Sequence, residues 1–176
     1  IATRMAEVMP SAERVISCHL GGSSSICAIR DGKSVAVSMG LSPQSGLPQG
    51  NRAGDFDPFA FALLQDKLRL TTEEILTVLG SRSGLAAVSG TSGDNRDVEL
   101  AARAGNKDAQ LAEAMFVTAI RDYIGAYLVE LGGVDAMVFT AGIGEKNAAL
   151  RADVCQPMAF AGIRIDPQKN AAAKDE

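Results

Sequence analysis

The spacing of apolar and polar residues divides the first part of the chain into a helix and three strands. Ile1 to Met9 has the spacing of a short amphipathic helix that Pro10 ends. Arg14 to Leu20 (RVISCHL) predicts a strand, and two short apolar stretches follow on either side of Asp31-Gly32, a dipeptide typical of tight hairpin turns. Three successive strands are therefore expected to open the domain.

Helices dominate the middle of the chain. Pro58 to Leu70 predicts a helix with Pro58 in its first turn, and a capping box from Thr71 to Glu74 begins another that Gly80 is expected to end. Lys107 to Leu131 predicts the longest helix. Its apolar positions form a wide stripe that needs burial: Leu111, Met115, Ala119, Tyr123, Tyr127 and Leu131, flanked by Phe116, Ile120, Ile124 and Leu128.

The remaining segments return to strands and loops. VDAMVFTAGIGEKNAALRADV predicts a parallel strand, a glycine turn and a helix, and AGIRIDP predicts another edge strand. Leu41 to Pro58 is a long loop rich in glycine and proline, and loops of that length in compact domains are usually functional or disordered. Three strands followed by helices that alternate with strands indicate an α/β fold.

Composition narrows the classes of function. A chain of 176 residues forms one large domain or two small ones, and 47% hydrophobic with 22% charged residues is an ordinary globular mixture. A net charge of −4 argues against a nucleic-acid partner, and no apolar run is long enough to predict a membrane span. Three cysteines without metal-ligand spacing indicate a reduced, cytoplasmic protein. The start, IATRMAEVM, is typical of the middle of a helix, so we expect a fragment of a longer protein.

The first candidate anion site is the glycine turn from His19 to Ser23, between the first two strands. Glycine lets backbone amides approach a phosphate closely, successive N–H groups can form an anion nest, and serine hydroxyls add donors. A simple polar turn is the alternative. For His19 the alternative is a half-buried packing residue that ends a strand.

A second glycine turn, Ala141 to Glu145, follows the apolar run AMVFT. A parallel strand that ends in a glycine turn and enters a helix is where α/β proteins bind nucleotides. The dinucleotide fingerprint is incomplete because Asn147 occupies the place of its third glycine, so a dehydrogenase would rest on Gly142 and Gly144 alone. RDGKS is not a P-loop either, since Cys27 stands where that motif needs glycine. A nucleotide site of another kind stays open.

The third turn is SGTSGDNRD, in which Asp94 is predicted to cap the helix that follows. Arg96 could reach a phosphate or ribose there, or could pair with Asp97 or Glu99 on the surface.

Arg52 lies in the loop GNRAGDFDP, where its fork of donors could clamp a phosphoryl group during transfer. The alternative is an ion pair with Asp55 or Asp57. A single histidine without Ser-His-Asp spacing argues against a triad hydrolase, and no clustered His, Cys or carboxylate residues predict a transition-metal site.

Together, four segments resemble the acetate kinase family of acyl-phosphate-forming kinases, which belongs to the sugar kinase, actin and heat-shock ATPase superfamily. VISCHLGGSSSICAIRDGKSVAVSMGLSPQSGL is similar to that family's strand, HLGNG turn and hairpin. QGNRAGDFDP matches GTRxGDxDP, SGDNRD matches SxDFRD, and VFTAGIGEKNAALR matches VFTxGIGENxxxxR. The order and approximate separation of the segments agree from Ile1 to Pro167.

The resemblance implies an actin-like, ribonuclease H-like ATPase domain: a mixed sheet opened by three strands, with helices on both faces. Residues 1–176 would be the single C-terminal nucleotide-binding domain of a two-domain kinase. The family's catalytic aspartate, substrate arginine and FHG histidine would lie before Ile1, and a magnesium-site glutamate would lie beyond Glu176. The chain alone is therefore expected to bind nucleotide weakly and not to turn over.

The resemblance also implies a role for individual residues. Arg52 would stabilise the phosphoryl group in flight, and Pro43 would touch the short acyl chain. The nucleotide would be bound by His19, Leu20, Gly21, Gly22, Ser23, Asp94, Asn95, Arg96, Gly142, Ile143, Gly144, Glu145 and Lys146. No metal ligand is expected within this chain.

The implied activity is transfer of a phosphoryl group from ATP to acetate or a similar short-chain carboxylate, giving acyl phosphate and ADP, with Mg²⁺ and a homodimeric enzyme. Three departures from the family pattern support an alternative, a non-catalytic nucleotide-binding or dimerisation domain. Gly22 replaces the asparagine of HLGNG, Asn95 replaces an aromatic residue expected at the adenine, and Lys146 replaces the asparagine of GIGEN.

Overall fold

A computed structural model describes residues 1–173, and the chain divides into two compact units. The first unit contains Ile1–Ser38 and the chain from Val117 onward, and the second contains Met39–Phe116. The strands are β1 (Arg14–Leu20), β2 (Ser24–Arg30), β3 (Lys33–Val37) and β4 (Ala136–Thr140). The helices are α1 (Ala2–Val8), α2 (Phe59–Leu68), α3 (Thr72–Ser81), α4 (Gly84–Ser89), α5 (Asn95–Arg103), α6 (Lys107–Leu131), α7 (Ala141–Lys146), α8 (Ala148–Cys155) and α9 (Pro167–Ala172), with a 3-10 helix at Gln156–Ala161.

The four strands form one mixed sheet in the order β3-β2-β1-β4. β1 pairs antiparallel with β2 and parallel with β4, and β2 pairs antiparallel with β3. The predicted α/β fold, the three opening strands and the parallel pairing of AMVFT are therefore confirmed. The core of the first unit contains fully buried side chains from the sheet and from α6 and α8: Ile16, Cys18, Leu20, Ile26, Ile120, Ile124 and Val154.

The hairpin between β2 and β3 turns at the predicted dipeptide. Asp31 has φ 50° and Gly32 has φ 73°, so both central residues adopt the left-handed conformation that a tight type I′ turn requires. The turn twists in the same sense as the flanking strands, which is why this dipeptide sets the register of the hairpin.

In the second unit, a long segment between β3 and α2 contains neither helix nor strand, as its glycine and proline content predicts. α3 begins with the predicted capping box: the Glu74 amide donates to Thr71 Oγ1 at 3.3 Å, and the Thr71 amide donates to Glu74 Oε2 at 2.8 Å. That backbone donation lowers the pKa of the Glu74 carboxyl. α3 runs through Gly80 to Ser81, however, so Gly80 does not end the helix.

The buried face of α6 differs from the predicted stripe. Leu111 is 57% exposed and Met115 is 37% exposed. The buried positions recur at steps of three and four residues, as on one face of a straight helix: Ala109, Ala112, Phe116, Ile120, Ile124, Tyr127 and Leu131. Strict four-residue steps drift around a helix of 3.6 residues per turn, and this explains why the predicted stripe leaves the buried face at its start.

Two other predictions near the end of the chain are wrong. AGIRIDP forms no strand, because the chain leaves the 3-10 helix at Gly162 and stays irregular up to α9. The glycine turn after β4 is itself helical and forms α7. In the part of the chain that the structure describes, no helix combines the length and apolar character needed to cross a membrane.

Candidate functional site

Two of the three glycine turns meet at one end of the sheet in the first unit. Because β1 and β4 are parallel, their carboxyl ends lie side by side, and His19 is the register partner of Thr140. His19 Nδ1 lies 3.1 Å from Thr140 Oγ1, within hydrogen-bond distance. A Cβ atom added to Gly21 would lie 3.2 Å from the Ala141 Cβ. The predicted turns from His19 and from Ala141 are thus direct neighbours.

The turn after β1 is shaped by a serine rather than by a left-handed glycine. Neither Gly21 nor Gly22 has a positive φ, so these glycines do not form the alternating backbone of an anion nest. Instead the Gly21 amide donates to Ser24 Oγ at 3.2 Å, and Ser24 Oγ donates to the Gly21 carbonyl at 3.1 Å. A side chain at Gly22 would meet no atom within 4 Å, and His19 is exposed rather than half-buried. This turn therefore presents an accessible surface.

The segment after β4 enters α7 through a strained residue. Ala141 has φ 64°, a left-handed conformation that is uncommon for a residue with a side chain. Its amide donates to the carboxylate of Glu145 at 2.9 Å, which closes the start of the helix. Gly144 is buried: a Cβ atom there would lie 3.4 Å from the Phe139 carbonyl carbon and 3.5 Å from the Cys18 oxygen. Gly142 and Lys146 are exposed.

The third predicted turn lies in the second unit. Asp94 caps α5 as predicted, because its carboxylate accepts a hydrogen bond from the Arg96 amide at 2.9 Å. The Arg96 guanidinium also binds Asp94, at 3.0 Å through Nε and at 2.7 Å through Nη2. These hydrogen bonds hold the pKa of Asp94 at about 2. Arg96 thus folds back on the residue that caps its own helix, a pairing that was not among the alternatives drawn from the sequence.

Asn95, the residue at the position implied for adenine stacking, is 8% exposed at the first turn of α5. A side chain so deeply buried presents little surface to a ligand. Arg96, by contrast, has a side chain that is 86% exposed.

Arg52 is held within its own loop. Its Nη1 donates to Gln49 Oε1 at 2.9 Å and lies 3.4 Å from the Pro43 carbonyl oxygen. Gln49 is 1% exposed and donates through Nε2 to the same Pro43 carbonyl at 3.0 Å. The two residues predicted for the acyl and phosphoryl groups, Pro43 and Arg52, are therefore joined through a buried glutamine.

Two glycines allow the backbone of the Arg52 loop to pack closely against the backbone of other segments of the second unit. Gly84 has φ 64°, and a Cβ atom there would lie 2.1 Å from the Gln49 carbonyl oxygen and 2.6 Å from that of Arg52. A Cβ atom at Gly50 would lie 2.9 Å from the Gly93 carbonyl oxygen. The Arg52 loop and the turn before Asp94 are thereby packed together.

Sequence reasoning missed two residues that organise these segments. Gln49 is a buried polar residue in a loop, and its place beside the GNR motif was the available signal. Arg151 is 6% exposed and donates to the Gly144 and Glu145 carbonyls. It is the arginine that ends the VFTAGIGEKNAALR segment, so the motif gives its position but not its hydrogen-bond partners.

Metal ligands are not grouped in residues 1–173: no cluster of three or more His, Cys, Asp or Glu side chains there could hold a metal ion.

Comparison with known proteins shows which family the chain resembles. The model of the acetokinase family matches residues 1–176. An acetate kinase from Treponema denticola is 48% identical over 157 residues, covering 89% of this chain and 40% of that protein. A propionate kinase from Citrobacter rodentium is 51% identical over 160 residues, covering 91% of this chain and 40% of that protein. The chain therefore spans about 40% of the length of these curated relatives.

Solved structures give the same result for the fold. The crystal structure of Porphyromonas gingivalis acetate kinase superposes with a TM-score of 0.94 at 38% identity, covering 99% of this chain and 45% of that one. The acetate kinase of Entamoeba histolytica gives a TM-score of 0.93 at 33% identity, covering 100% of this chain and 47% of that one.

Proposed function

Because this chain belongs to the acetokinase family, we propose that the protein in which it occurs transfers the γ-phosphoryl group of ATP to acetate or a similar short-chain carboxylate. The products are an acyl phosphate and ADP, and this chain supplies the nucleotide half of the site. The observation that carries the proposal is the parallel pairing of β1 with β4, which brings the His19 and Ala141 turns together. The crevice outside the carboxyl ends of adjacent parallel strands is where open α/β sheets bind nucleotides.

The phosphates of the nucleotide are proposed to lie against the exposed part of these two turns. Gly22 leaves open space where a side chain would stand, so a phosphate can approach its backbone closely. The other residues proposed to bind the nucleotide at these turns are His19, Leu20, Gly21, Ser23, Gly142, Ile143, Gly144, Glu145 and Lys146. Asp94, Asn95 and Arg96 are proposed to hold the adenosine side. Of these, the exposed Arg96 is the best supported and the buried Asn95 the least.

Arg52 is proposed to stabilise the phosphoryl group as it is transferred, with Pro43 at the acyl chain. Phosphoryl transfer requires little covalent chemistry from the protein, so alignment and neutralisation of charge provide most of the acceleration. A planar guanidinium suits this task because it offers several donors in a fixed geometry. The hydrogen bond from Arg52 to the buried Gln49 orients the guanidinium before substrate binds.

Several properties of the whole protein follow from the same proposal. The family resemblance predicts a cytoplasmic homodimer that uses Mg²⁺, with the magnesium ligands outside residues 1–176. When bound, magnesium would neutralise charge on the phosphates.

A second candidate function is a nucleotide-binding or dimerisation domain without catalysis. The burial of Asn95 favours it, because the position implied for the adenine is withdrawn from solvent. Gly22 and Lys146, which also depart from the family pattern, point the same way.

An acyl-phosphate trap separates the two functions. The full-length polypeptide that carries this sequence is incubated with ATP, magnesium, acetate or propionate, and hydroxylamine, which converts an acyl phosphate into a coloured hydroxamate. The kinase proposal predicts hydroxamate that depends on both ATP and the carboxylate. A folded protein that binds ADP but yields no hydroxamate with any short-chain carboxylate would establish the non-catalytic alternative.

A further inference from the structure

Arg151 places a nearly buried positive charge at the end of α7. Its Nη1 donates to the Gly144 carbonyl at 2.8 Å and to the Glu145 carbonyl at 2.6 Å. Both oxygens are among the last four carbonyls of the helix, which have no partner inside it. A helix of six residues is too short to be stable alone, so these two hydrogen bonds hold its end in place.

The same guanidinium binds α9. Arg151 Nε donates to Asn170 Oδ1 at 2.7 Å, and Nη2 donates to the Asn170 carbonyl at 2.8 Å. Asn170 in turn donates through Nδ2 to the Ala148 carbonyl at 2.7 Å. Each of these acceptors is neutral, so the guanidinium acts through directed hydrogen bonds rather than through an opposing charge. Removing it leaves buried carbonyls without donors, which is costly.

The opposite end of α7 is also tied, so the position of the segment is fixed from both sides. The Ala141 amide donates to the Glu145 carboxylate at 2.9 Å. Gly144 packs against the Cys18 carbonyl at the end of β1, one residue before His19. A displacement of Gly144 or Glu145 would therefore change both turns of the candidate site.

We propose that Arg151 is a positioning residue for nucleotide binding: it fixes the Gly142–Lys146 turn through the Gly144 and Glu145 carbonyls. Through Asn170, it also makes nucleotide affinity depend on the docking of α9. This inference rests on the proposed function, because it assigns the nucleotide to that turn.

The test compares Arg151→Met with Asn170→Ala in the full-length polypeptide, with Arg164→Met, an exposed arginine of the same unit, as the matched control. Arg151→Met should raise the KM for nucleotide about tenfold, leave kcat within about twofold and leave the KM for carboxylate unchanged. Asn170→Ala removes the side-chain acceptor of Arg151 and the Nδ2 donation to the Ala148 carbonyl but keeps the backbone acceptor, so it should raise the same KM by a smaller factor. A merely structural defect would lower the amount of active enzyme, and therefore kcat, without this split.

Amide hydrogen exchange supplies a readout that does not depend on activity. In Arg151→Met, residues 142–146 should exchange faster while β1 and β2 keep their protection. Unchanged exchange in this segment would overturn the positioning role, and a nucleotide KM that stays at the wild-type value would overturn its link to the ligand. If Arg151→Met does not fold, Asn170→Ala decides by the same two measurements. Wild-type protein that binds no nucleotide would overturn the proposed function as well, whereas wild-type binding with an unaltered variant KM would overturn this inference alone.

Discussion

Gly84 shows how a single residue without a side chain positions a proposed catalytic group. Because Gly84 has no Cβ atom, the Gln49 and Arg52 carbonyls approach to distances that no Cβ atom tolerates, and its backbone is also left-handed, with φ 64°. Gly90 shares the left-handed conformation, with φ 68°, but a Cβ atom there would meet nothing within 4 Å. An alanine at Gly90 would suffer backbone strain alone, whereas an alanine at Gly84 would also clash with the neighbouring carbonyls.

Replacing each of these glycines with alanine tests that difference. Gly90→Ala should lower the free energy of unfolding by about 1 to 2 kcal/mol, the cost of a left-handed alanine. Gly84→Ala should cost roughly 3 kcal/mol or more, because overpacking against backbone is added to the same strain. Urea unfolding measures both values. Equal losses in the free energy of unfolding would mean that the Arg52 loop can move away from a side chain at Gly84 without cost.

Arg52 itself is tested by its effect on turnover. Arg52→Ala in the full-length polypeptide should lower kcat by about 10²-fold or more and change the nucleotide KM by less than about threefold, since its contact is proposed to strengthen in the transition state. Arg82→Ala, an exposed arginine of the same unit, is the control. Proportional losses in kcat and nucleotide affinity would make Arg52 a binding or structural residue instead.

At the scale of the elements, the pairing of β1 with β4 depends on a charged clamp at their starts. The Asp135 carboxylate accepts hydrogen bonds from the Arg14 amide at 2.8 Å, from the Glu13 amide at 3.1 Å and from Arg14 Nη2 at 2.6 Å. The Arg14 side chain and, to a lesser degree, its amide lower the pKa of Asp135 to about 2 from an ordinary value of 3.8. The clamp fixes the register that brings the ends of these strands together.

This clamp predicts acid sensitivity. Because the folded protein holds the pKa of Asp135 below its unfolded value, the ionised carboxylate stabilises the fold above about pH 4. That stabilisation is lost as the pH falls from about 4 towards 2. Asp135→Asn should therefore be less stable than wild type at neutral pH, and the difference should shrink across that interval in urea unfolding.

Asp31→Asn, an exposed change in the hairpin turn that asparagine tolerates, is the control for the loss of a carboxylate outside the clamp. A gap between Asp135→Asn and wild type that stays constant from neutral pH to pH 2 would contradict the assigned role of the clamp.

Sequence patterns predicted the elements well where the signal is local. The Asp31-Gly32 turn, the Thr71 capping box and the Asp94 cap depend on a few neighbouring residues, and all three are confirmed. AGIRIDP failed because a short apolar run specifies a strand only when a partner strand pairs with it.

The sequence predicted which segments form the turns and caps of the candidate site, but not which side chains hydrogen-bond to one another there. Glycine turns and caps mark backbone requirements, which are readable from sequence. The binding of Arg96 to Asp94, of Arg52 to Gln49 and of Arg151 to Asn170 depends on which donors and acceptors the fold brings within reach. Periodicity carries no information on such contacts.

For the whole molecule, the proposed phosphate site joins residues that are distant in sequence, and the chain spans about 40% of the length of its curated relatives. In the first unit, the fold brings His19 to Thr140 across 121 positions of sequence. The second unit supplies Arg52 and Arg96, whose roles at the nucleotide are proposals.

The most direct measurement is a crystal structure of the full-length polypeptide with ADP bound. We expect the phosphates to lie within hydrogen-bond distance, about 3 Å, of backbone amides in both the His19–Ser23 and the Gly142–Glu145 turns. ADP bound at a distance from these turns, with both left in contact with solvent, would contradict the central claim.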